Sequence, residues 1–145
     1  MYCSLDDIKK LLPEDILEQL TDDEGLGTIN QARVDEAIAG ADAEIDGYLG
    51  GRYSVPLSAA TEIVKKLSVD IAIYNLYSRA VASGTIPELR SERYRNAIKQ
   101  LEGVSKGMIS IGVDEKPASS ASSGGAESNK PTDTNVFSRR KLEGF

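Results

Sequence analysis

The residues best suited to chemistry in this chain are three carboxylates that lie close together, Asp42, Glu44 and Asp46. Asp42 and Asp46 are four positions apart, a spacing that places two side chains on one face of a helix. Two carboxylates can catalyse glycoside hydrolysis when a sugar-sized cleft lies between them. Nothing in the flanking sequence predicts such a cleft, so we expect an acidic face that meets solvent or another protein.

A second candidate is a basic cluster near residue 95. Cations in this arrangement can bind phosphate groups. Glu88 and Glu92 are interleaved with them, and this mixture favours pairing with a protein partner over binding to nucleic acid. The basic side chains are Arg90, Arg93, Arg95 and Lys99.

The sequence excludes several common kinds of catalytic and metal site. It contains no histidine and one cysteine, Cys3, so Ser-His and Cys-His pairs and most zinc sites cannot form within the chain. The acidic stretch 21–27 lacks the alternating ligands and the closing Glu of a calcium-binding EF-hand loop, and we expect a solvated loop there. We predict no catalytic residue, no metal site and no cofactor.

Charge is distributed unevenly along the chain. The net charge is −6 and the isoelectric point is near 4.7, which argues against a dedicated nucleic-acid binder. Residues 1–49 carry three basic and thirteen acidic side chains, whereas residues 50–112 carry nine basic and five acidic. One acidic and one basic half suit head-to-tail contacts that close into a ring. The alternative is that these charges pair within one subunit.

Membrane and export signals are not evident in the sequence. No run approaches the roughly 20 apolar residues of a membrane-spanning helix. Asp6 and Asp7 stand where a signal peptide would be basic and then apolar. We expect a protein made in a cytoplasm and not inserted in a membrane.

Apolar residues at steps of three and four predict an all-α fold, a small antiparallel bundle of about four helices with a long extended C-terminal tail. Two short N-terminal helical segments are expected, from Leu5 to Leu12 and from Pro13 to Leu20. A helix capped by Asn30 should run to Gly50-Gly51, where a glycine can adopt the left-handed conformation. Further helices are predicted over about residues 60–82 and 88–104.

The composition changes near residue 113 and divides the chain into a helical domain, 1–112, and a tether, 113–145. Residues 117–135 are mostly small and polar, and such a stretch cannot form its own core. The last ten residues, 136–145, regain aromatic and basic side chains, as expected of a docking peptide. Its candidate contact residues are Phe137, Arg139, Arg140, Leu142 and Phe145.

The segment 41–57 carries a distinctive pattern. A helix ends in Ile-Asp-x-Tyr-Leu, two glycines follow, and then comes Arg-Tyr-x-x-Pro-Leu. This pattern resembles the head–tail connector proteins of Mu-like phages and prophages. The resemblance extends over most of the chain apart from the low-complexity stretch, and it includes the ending at Phe137-Ser138-Arg139 and Gly144-Phe145. The matching residues are Ile45, Asp46, Tyr48, Leu49, Arg52, Tyr53, Pro56 and Leu57.

The resemblance implies a structural protein of the virion neck, at the head–tail junction. Such a protein would form a cyclic ring of about twelve copies under the portal protein. The ring would extend the channel through which genomic DNA passes without specific binding, and would contact stopper, tail-terminator or other neck proteins. Asp42 and Glu44 are candidates to face that channel, where like charge repels DNA.

The matched motif has a physical interpretation as a joint. Tyr48 and Tyr53 bracket a glycine turn, and Arg52 offers a planar fork to a carboxylate such as Asp46 or an acid of the next subunit. Pro56 fixes the link that follows. The residues could equally fix the turn within one subunit.

Two other kinds of function remain open at this point. One is a small helical DNA-binding or packaging protein, which would bind duplex DNA at physiological salt. The other is a carboxylate-dependent hydrolase, which would lose its activity on replacement of Asp42 or Asp46.

Overall fold

The computed structural model describes residues 1–80 and 84–117, and these residues form five α-helices and no β-strand. The predicted all-α fold is confirmed, with two short N-terminal helices before three long ones. The helices are α1 (Leu5–Lys9), α2 (Glu14–Thr21), α3 (Gln31–Leu49), α4 (Glu62–Arg79) and α5 (Glu88–Ser105).

Helix α1 starts at a reciprocal cap formed by Ser4 and Asp7, a pair of residue types at the spacing typical of a helix start. The Asp7 amide donates to the Ser4 hydroxyl at 3.3 Å, and the Ser4 amide donates to the Asp7 carboxylate at 3.1 Å. The helix ends at Lys9, earlier than expected, and a turn continues it to Leu12, whose amide donates to the Ile8 carbonyl at 2.9 Å. Leu12 nevertheless stays in the core, just before Pro13.

Helix α3 is the longest helix and bears most of the candidate acids. Asn30 caps it, accepting from the Arg33 amide at 3.3 Å. Its buried stripe is Val34, Ala37, Ile38, Ala41, Ile45 and Leu49.

The glycines that end α3 do not behave as predicted. Gly50 has a φ of −58°, so it is right-handed and makes no left-handed cap. The chain turns without leaving the right-handed region, since the Gly50 amide still donates to the Asp46 carbonyl at 2.8 Å. A Cβ on Gly50 would lie 3.0 Å from that carbonyl oxygen, so this position requires glycine for space and not for a positive φ.

Helix α4 is the centre of the fold and contacts each of the other four helices. Nine of its 18 residues are buried, as expected for a helix that packs on several sides. Side-chain bonds show that α3 runs antiparallel to it: Asn75 donates to the Ala37 carbonyl at 3.2 Å, and Ser68 to Asp42 at 3.1 Å.

The chain beyond α5 folds back onto the helices. Ile111 is buried, and Ile109 and Val113 pack against the core. Gly103 makes this return possible, because a Cβ there would lie 2.8 Å from Ile109 Cδ1.

Candidate functional site

The turn after α3, at the centre of the motif 45–57, is anchored from within the molecule. The amides of Arg52 and Tyr53 both donate to the Leu49 carbonyl at 2.9 Å. The Tyr53 side chain is fully buried, whereas the Arg52 guanidinium lies near the surface, 5.8 Å from the centre of the Tyr53 ring. Tyr53 thus anchors the turn in the core, and the guanidinium of Arg52 can make polar contacts near the surface.

Arg52 joins this turn to the end of α5. Its Nη1 donates to the Val104 carbonyl at 2.8 Å, and its Nη2 donates to the Glu115 carboxylate. The hydrogen bond and charge of Glu115 raise the pKa of Arg52. A Cβ on Gly107 would lie 3.0 Å from Nη1, so glycine at that position admits the guanidinium.

Lys116 completes this contact, which we call the Arg52 latch (Arg52, Val104, Glu115 and Lys116). The Lys116 amide donates to the Arg52 carbonyl at 2.8 Å, and its ammonium donates to the Gly50 carbonyl at 2.8 Å. Within one chain the partner of Arg52 is therefore Glu115, and not Asp46. A role of Arg52 at a subunit interface stays a prediction.

Tyr2 holds the other end of the motif. The Tyr2 amide donates to both carboxylate oxygens of Asp42 at 3.1 Å. Its hydroxyl donates to the Asp46 carboxylate and accepts from the Leu57 amide at 2.9 Å. Burial, and next the hydrogen bond to Asp46, raise the pKa of Tyr2 to about 12. We call these four residues the Tyr2 clasp (Tyr2, Asp42, Asp46 and Leu57).

Asp42 also reaches α4. Its carboxylate accepts from the Ser68 hydroxyl at 3.1 Å, and that hydroxyl lies 3.2 Å from the Cys3 sulfur. Cys3 is buried, and burial raises the pKa of its thiol. The side chain of Asp42 is only 16% exposed, so this acid serves mainly to connect α3, α4 and the N-terminal residues.

Glu44 has a different partner. It accepts from the Tyr94 hydroxyl at 2.8 Å, and the Tyr94 ring stacks on Tyr74 with centroids 4.1 Å apart. Burial and then the hydrogen bond to Glu44 raise the pKa of Tyr94 to about 12. Glu44 borders a surface cleft of about 440 Å³ that neither Asp42 nor Asp46 lines. The structure therefore does not bring the three carboxylates together at one cleft.

The other two residues of the motif lie near the same turn. Tyr48 is half-buried and packs against the core. Pro56 is exposed and follows a cis peptide bond from Val55. Both lie between the Arg52 latch and the Tyr2 clasp in the sequence.

The basic cluster of α5 is mostly engaged inside the subunit. Arg90 donates to the Leu11 carbonyl at 2.9 Å, and Arg93 pairs with Asp70 at 3.3 Å. Arg95 pairs with Glu88 at 2.5 Å. Lys99 is exposed and forms no ion pair with any residue in the described ranges.

Sequence reasoning missed several residues of this region. Glu115 and Lys116 follow the last helix and carry no periodic signal, so they were placed in the tether. The role of Tyr2 was equally hidden, because its partners are 40 or more positions away. The predicted docking residues Phe137, Arg139, Arg140, Leu142 and Phe145 lie outside the described residues.

Two searches of the described residues gave no site. Among residues 1–80 and 84–117, no three His, Cys, Asp or Glu side chains are arranged to hold a metal ion. None of the helices in those ranges is long and apolar enough to cross a membrane.

Comparisons with known proteins match nearly the whole chain. The sequence profile of the family described as Bacteriophage Mu, Gp36 matches residues 2–130. The Mu-like prophage FluMu protein gp36 of Haemophilus influenzae is 28% identical over 145 residues, which cover 100% of this chain and 98% of that protein. Gene product J of Escherichia phage Mu is 31% identical over 119 residues, covering 82% and 79% of the two chains. The matched range includes the Tyr2 clasp and the Arg52 latch, and the chain belongs to the Bacteriophage Mu Gp36 family of Mu-like phage proteins.

Proposed function

We propose that this chain is a structural subunit of the phage particle, a head–tail connector that forms a ring under the portal. The observation that carries the proposal is the family match over residues 2–130, together with the motif 45–57 that it includes. In this role the protein extends the DNA channel and joins head to tail without catalysing a reaction.

The internal bracing of the motif supports a structural role. The Tyr2 clasp ties the N-terminal residues to α3 and to Leu57, and the Arg52 latch ties the same link to the end of α5. A surface held in this way loses little conformational entropy when it meets a neighbour, which favours repeated contacts of one geometry. We propose that Asp46, Tyr48, Arg52, Tyr53 and Pro56 shape that surface.

The charge pattern also supports contacts between copies. Within the described residues, Arg79 with Asp23 is the ion pair that joins a basic side chain of residues 50–112 to an acid of residues 1–49. The other basic side chains of residues 50–112 that form ion pairs bind acids of the same range or Glu115. Most of the net negative charge of residues 1–49 is therefore not neutralised by residues 50–112. A remaining acidic surface can attract a basic surface of the next copy, and it repels DNA.

The contacts of Asp42 and Glu44 give less support to a channel-facing role for these two acids than the features above give to the ring. Both carboxylates hold other side chains of the same subunit, Asp42 through Ser68 and Glu44 through Tyr94. Exposed acids of the first half that hold no basic side chain among the described residues, such as Asp15, are better placed to meet DNA.

The remaining partners follow from the same proposal. The ring would contain about twelve copies, contact the portal protein above, and present stopper or tail-terminator proteins with a surface below. The docking peptide 136–145 would bind a neighbouring protein of the neck. The protein would reside in the virion neck after synthesis in the host cytoplasm.

Deletion of the gene in its phage tests the proposal directly. Electron microscopy of the lysate should show heads and separate tails that are not joined. Supplying the intact chain in trans should restore joined particles, and supplying the Arg95→Ala chain should do the same because Arg95 pairs with Glu88 at the surface.

Joined, normal particles in the deletion lysate would remove the connector proposal. Retention of the purified chain on duplex DNA at physiological salt would then favour the DNA-binding alternative.

A further inference from the structure

An exposed leucine stands at the tip of the loop between α2 and α3. Leu26 has 68% of its surface exposed, and Glu24 beside it is exposed as well. Glu24 forms no ion pair with any residue of 1–80 or 84–117. Among residues 1–80 and 84–117, no contact accounts for an apolar side chain at this position.

The loop is held in one shape by its own backbone contacts. The Asp22 carboxylate accepts from the Leu26 amide at 2.9 Å and from the Gly27 amide at 2.7 Å. Gly25 and Gly27 have φ values of 70° and 67°, a conformation that favours glycine. Arg79 and Arg33 both bind Asp23, which fixes the base of the loop. Leu26 therefore lies on a loop of defined conformation.

A groove of matching size lies between α1 and α4. Its volume is about 240 Å³, which accommodates a leucine side chain. Leu11, which is 41% exposed, and the buried Val69 give it an apolar part. The charged side chains around it are Lys10, Lys65, Lys66, Asp7 and Glu62.

The charges of the loop and the groove are complementary. Lys10 pairs with Asp7 and Lys65 pairs with Glu62, whereas Lys66, the other charged side chain of the groove, forms no ion pair within the described part of the chain. Lys66 is exposed, as is Glu24 of the loop. An apolar contact bordered by opposite charges is the usual arrangement of a specific protein interface.

The two surfaces lie at opposite ends of α4. The loop is attached to Arg79 at the C-terminal end of the helix, and the groove lies beside Lys66 near its N-terminal end. Thirteen residues separate these positions, or about 20 Å along a helix. One subunit can therefore offer its loop to one neighbour and its groove to another, which is the geometry of a head-to-tail ring.

We propose that the Leu26 loop of one copy inserts into the α1–α4 groove of the next copy, with Glu24 facing Lys66. This contact rests on the proposed ring, for which it names the surfaces that join neighbouring subunits. Its occupant is a second copy of this chain.

Disulfide trapping in the full-length protein tests this contact. Thr28 is exposed two residues after Leu26, and Glu62 lines the groove, so cysteines at these positions leave Leu26, Glu24 and Lys66 intact. A Thr28→Cys chain is mixed with a Glu62→Cys chain under mild oxidation. We expect covalent dimers to form about tenfold faster than by random collision, because docking raises the effective concentration of the two thiols.

The matched control is a Glu102→Cys chain mixed with the same Thr28→Cys chain. Glu62 pairs with Lys65 of α4 and Glu102 pairs with Lys106, the C-cap residue of α5, so both replacements remove the same kind of charge. Native Cys3 is buried and common to every mixture. Equal rates with Glu62→Cys and Glu102→Cys would overturn the proposed contact.

Replacing Leu26 gives a second measurement. Leu26→Ser in the Thr28→Cys chain should reduce the rate with Glu62→Cys to that of the control mixture, because it removes the apolar insertion. A rate unchanged by Leu26→Ser would also overturn the proposal. If either contradictory result is obtained and electron microscopy still shows rings, the ring forms through another surface. The proposed contact would then be wrong while the proposed connector function stands.

Discussion

Single side chains in this protein connect elements that lie far apart in the sequence. Arg52 bonds to a carbonyl 52 positions away and to a carboxylate 63 positions away. Tyr2 bonds to residues 40, 44 and 55 positions away. Such contacts order the link between α3 and α4 relative to both chain ends, so their loss should be measurable in the free energy of unfolding.

Arg52→Ala should lower the free energy of unfolding by more than Arg95→Ala does, because it leaves the Val104 carbonyl and Glu115 without their charged donor. Urea denaturation measures this loss. Arg95→Ala is the control: its pair with Glu88 is exposed at both side chains, so we expect a loss under about 0.5 kcal/mol. Equal losses would contradict the bracing role of Arg52.

Tyr2→Phe should lower the free energy of unfolding at pH 8 by about 1–3 kcal/mol, since the Leu57 amide and Asp46 lose their hydrogen-bond partner. Urea denaturation of the full chain gives the value. A loss close to zero would mean that the clasp is not formed in solution.

Tyr2 should also make stability depend on pH in the alkaline range. Its pKa is about 12 in the folded chain, against an ordinary value of 10.0, so the folded state holds the proton more tightly. The stabilisation is complete below pH 10 and is lost as the pH rises from 10 toward 12. Between pH 8 and pH 11, the free energy of unfolding should decrease less for Tyr2→Phe than for the unchanged chain. An identical drop in both proteins would contradict this assignment.

Among the elements, α3 and α5 each contain a glycine, and the space around the two glycines differs. Around Gly47 in α3 there is no atom within 4 Å of where a Cβ would stand, whereas at Gly103 in α5 the side chain of Ile109 occupies that space. Helix propensity alone favours alanine at both positions. Packing around each glycine decides whether alanine is tolerated there.

Gly47→Ala should therefore raise the free energy of unfolding by about 0.5–1 kcal/mol, because it restricts the unfolded chain and meets no neighbour. Gly103→Ala should lower it, since the new Cβ would stand 2.8 Å from Ile109 Cδ1. Thermal unfolding of the two variants should shift in opposite directions. A shift of the same sign would contradict the packing described for the end of α5.

At the scale of the whole molecule, the chain combines a packed helical body with a long, small and polar C-terminal stretch. The core is formed by residues up to Ile111, and the Arg52 latch extends the packed part to Lys116. Residues 117–135 have a composition that cannot supply a core of its own. Stability should thus depend on residues up to Lys116, and docking to a neck protein on the peptide 136–145.

Deletion of residues 118–145 should leave the free energy of unfolding unchanged within about 0.5 kcal/mol. The same deletion in the phage should prevent joining of heads and tails, because the docking peptide 136–145 is removed. Joined particles from the shortened gene would contradict the docking role. A large loss of stability would instead show that the deleted residues pack on the body.

The sequence by itself determined the helices, the N-terminal caps at Ser4 and Asn30, and the acidic character of the first half. Local spacing and capping are properties of neighbouring residues, so the Asn30 and Ser4 caps and the buried stripe of α3 could be predicted directly. The motif around Arg52 also stood out, because its residue types at that spacing carried a family resemblance.

Only the tertiary structure decided which groups those residues bind. Arg52 pairs with Glu115 and Asp46 with Tyr2, and each pairing depends on where the ends of the chain return in the fold. Gly50 is right-handed and its amide continues the helical hydrogen bonding to the Asp46 carbonyl, which a glycine pair in sequence does not reveal. The loop of Leu26 and the groove beside Lys66 are separated along α4 for the same reason: long-range packing sets their positions.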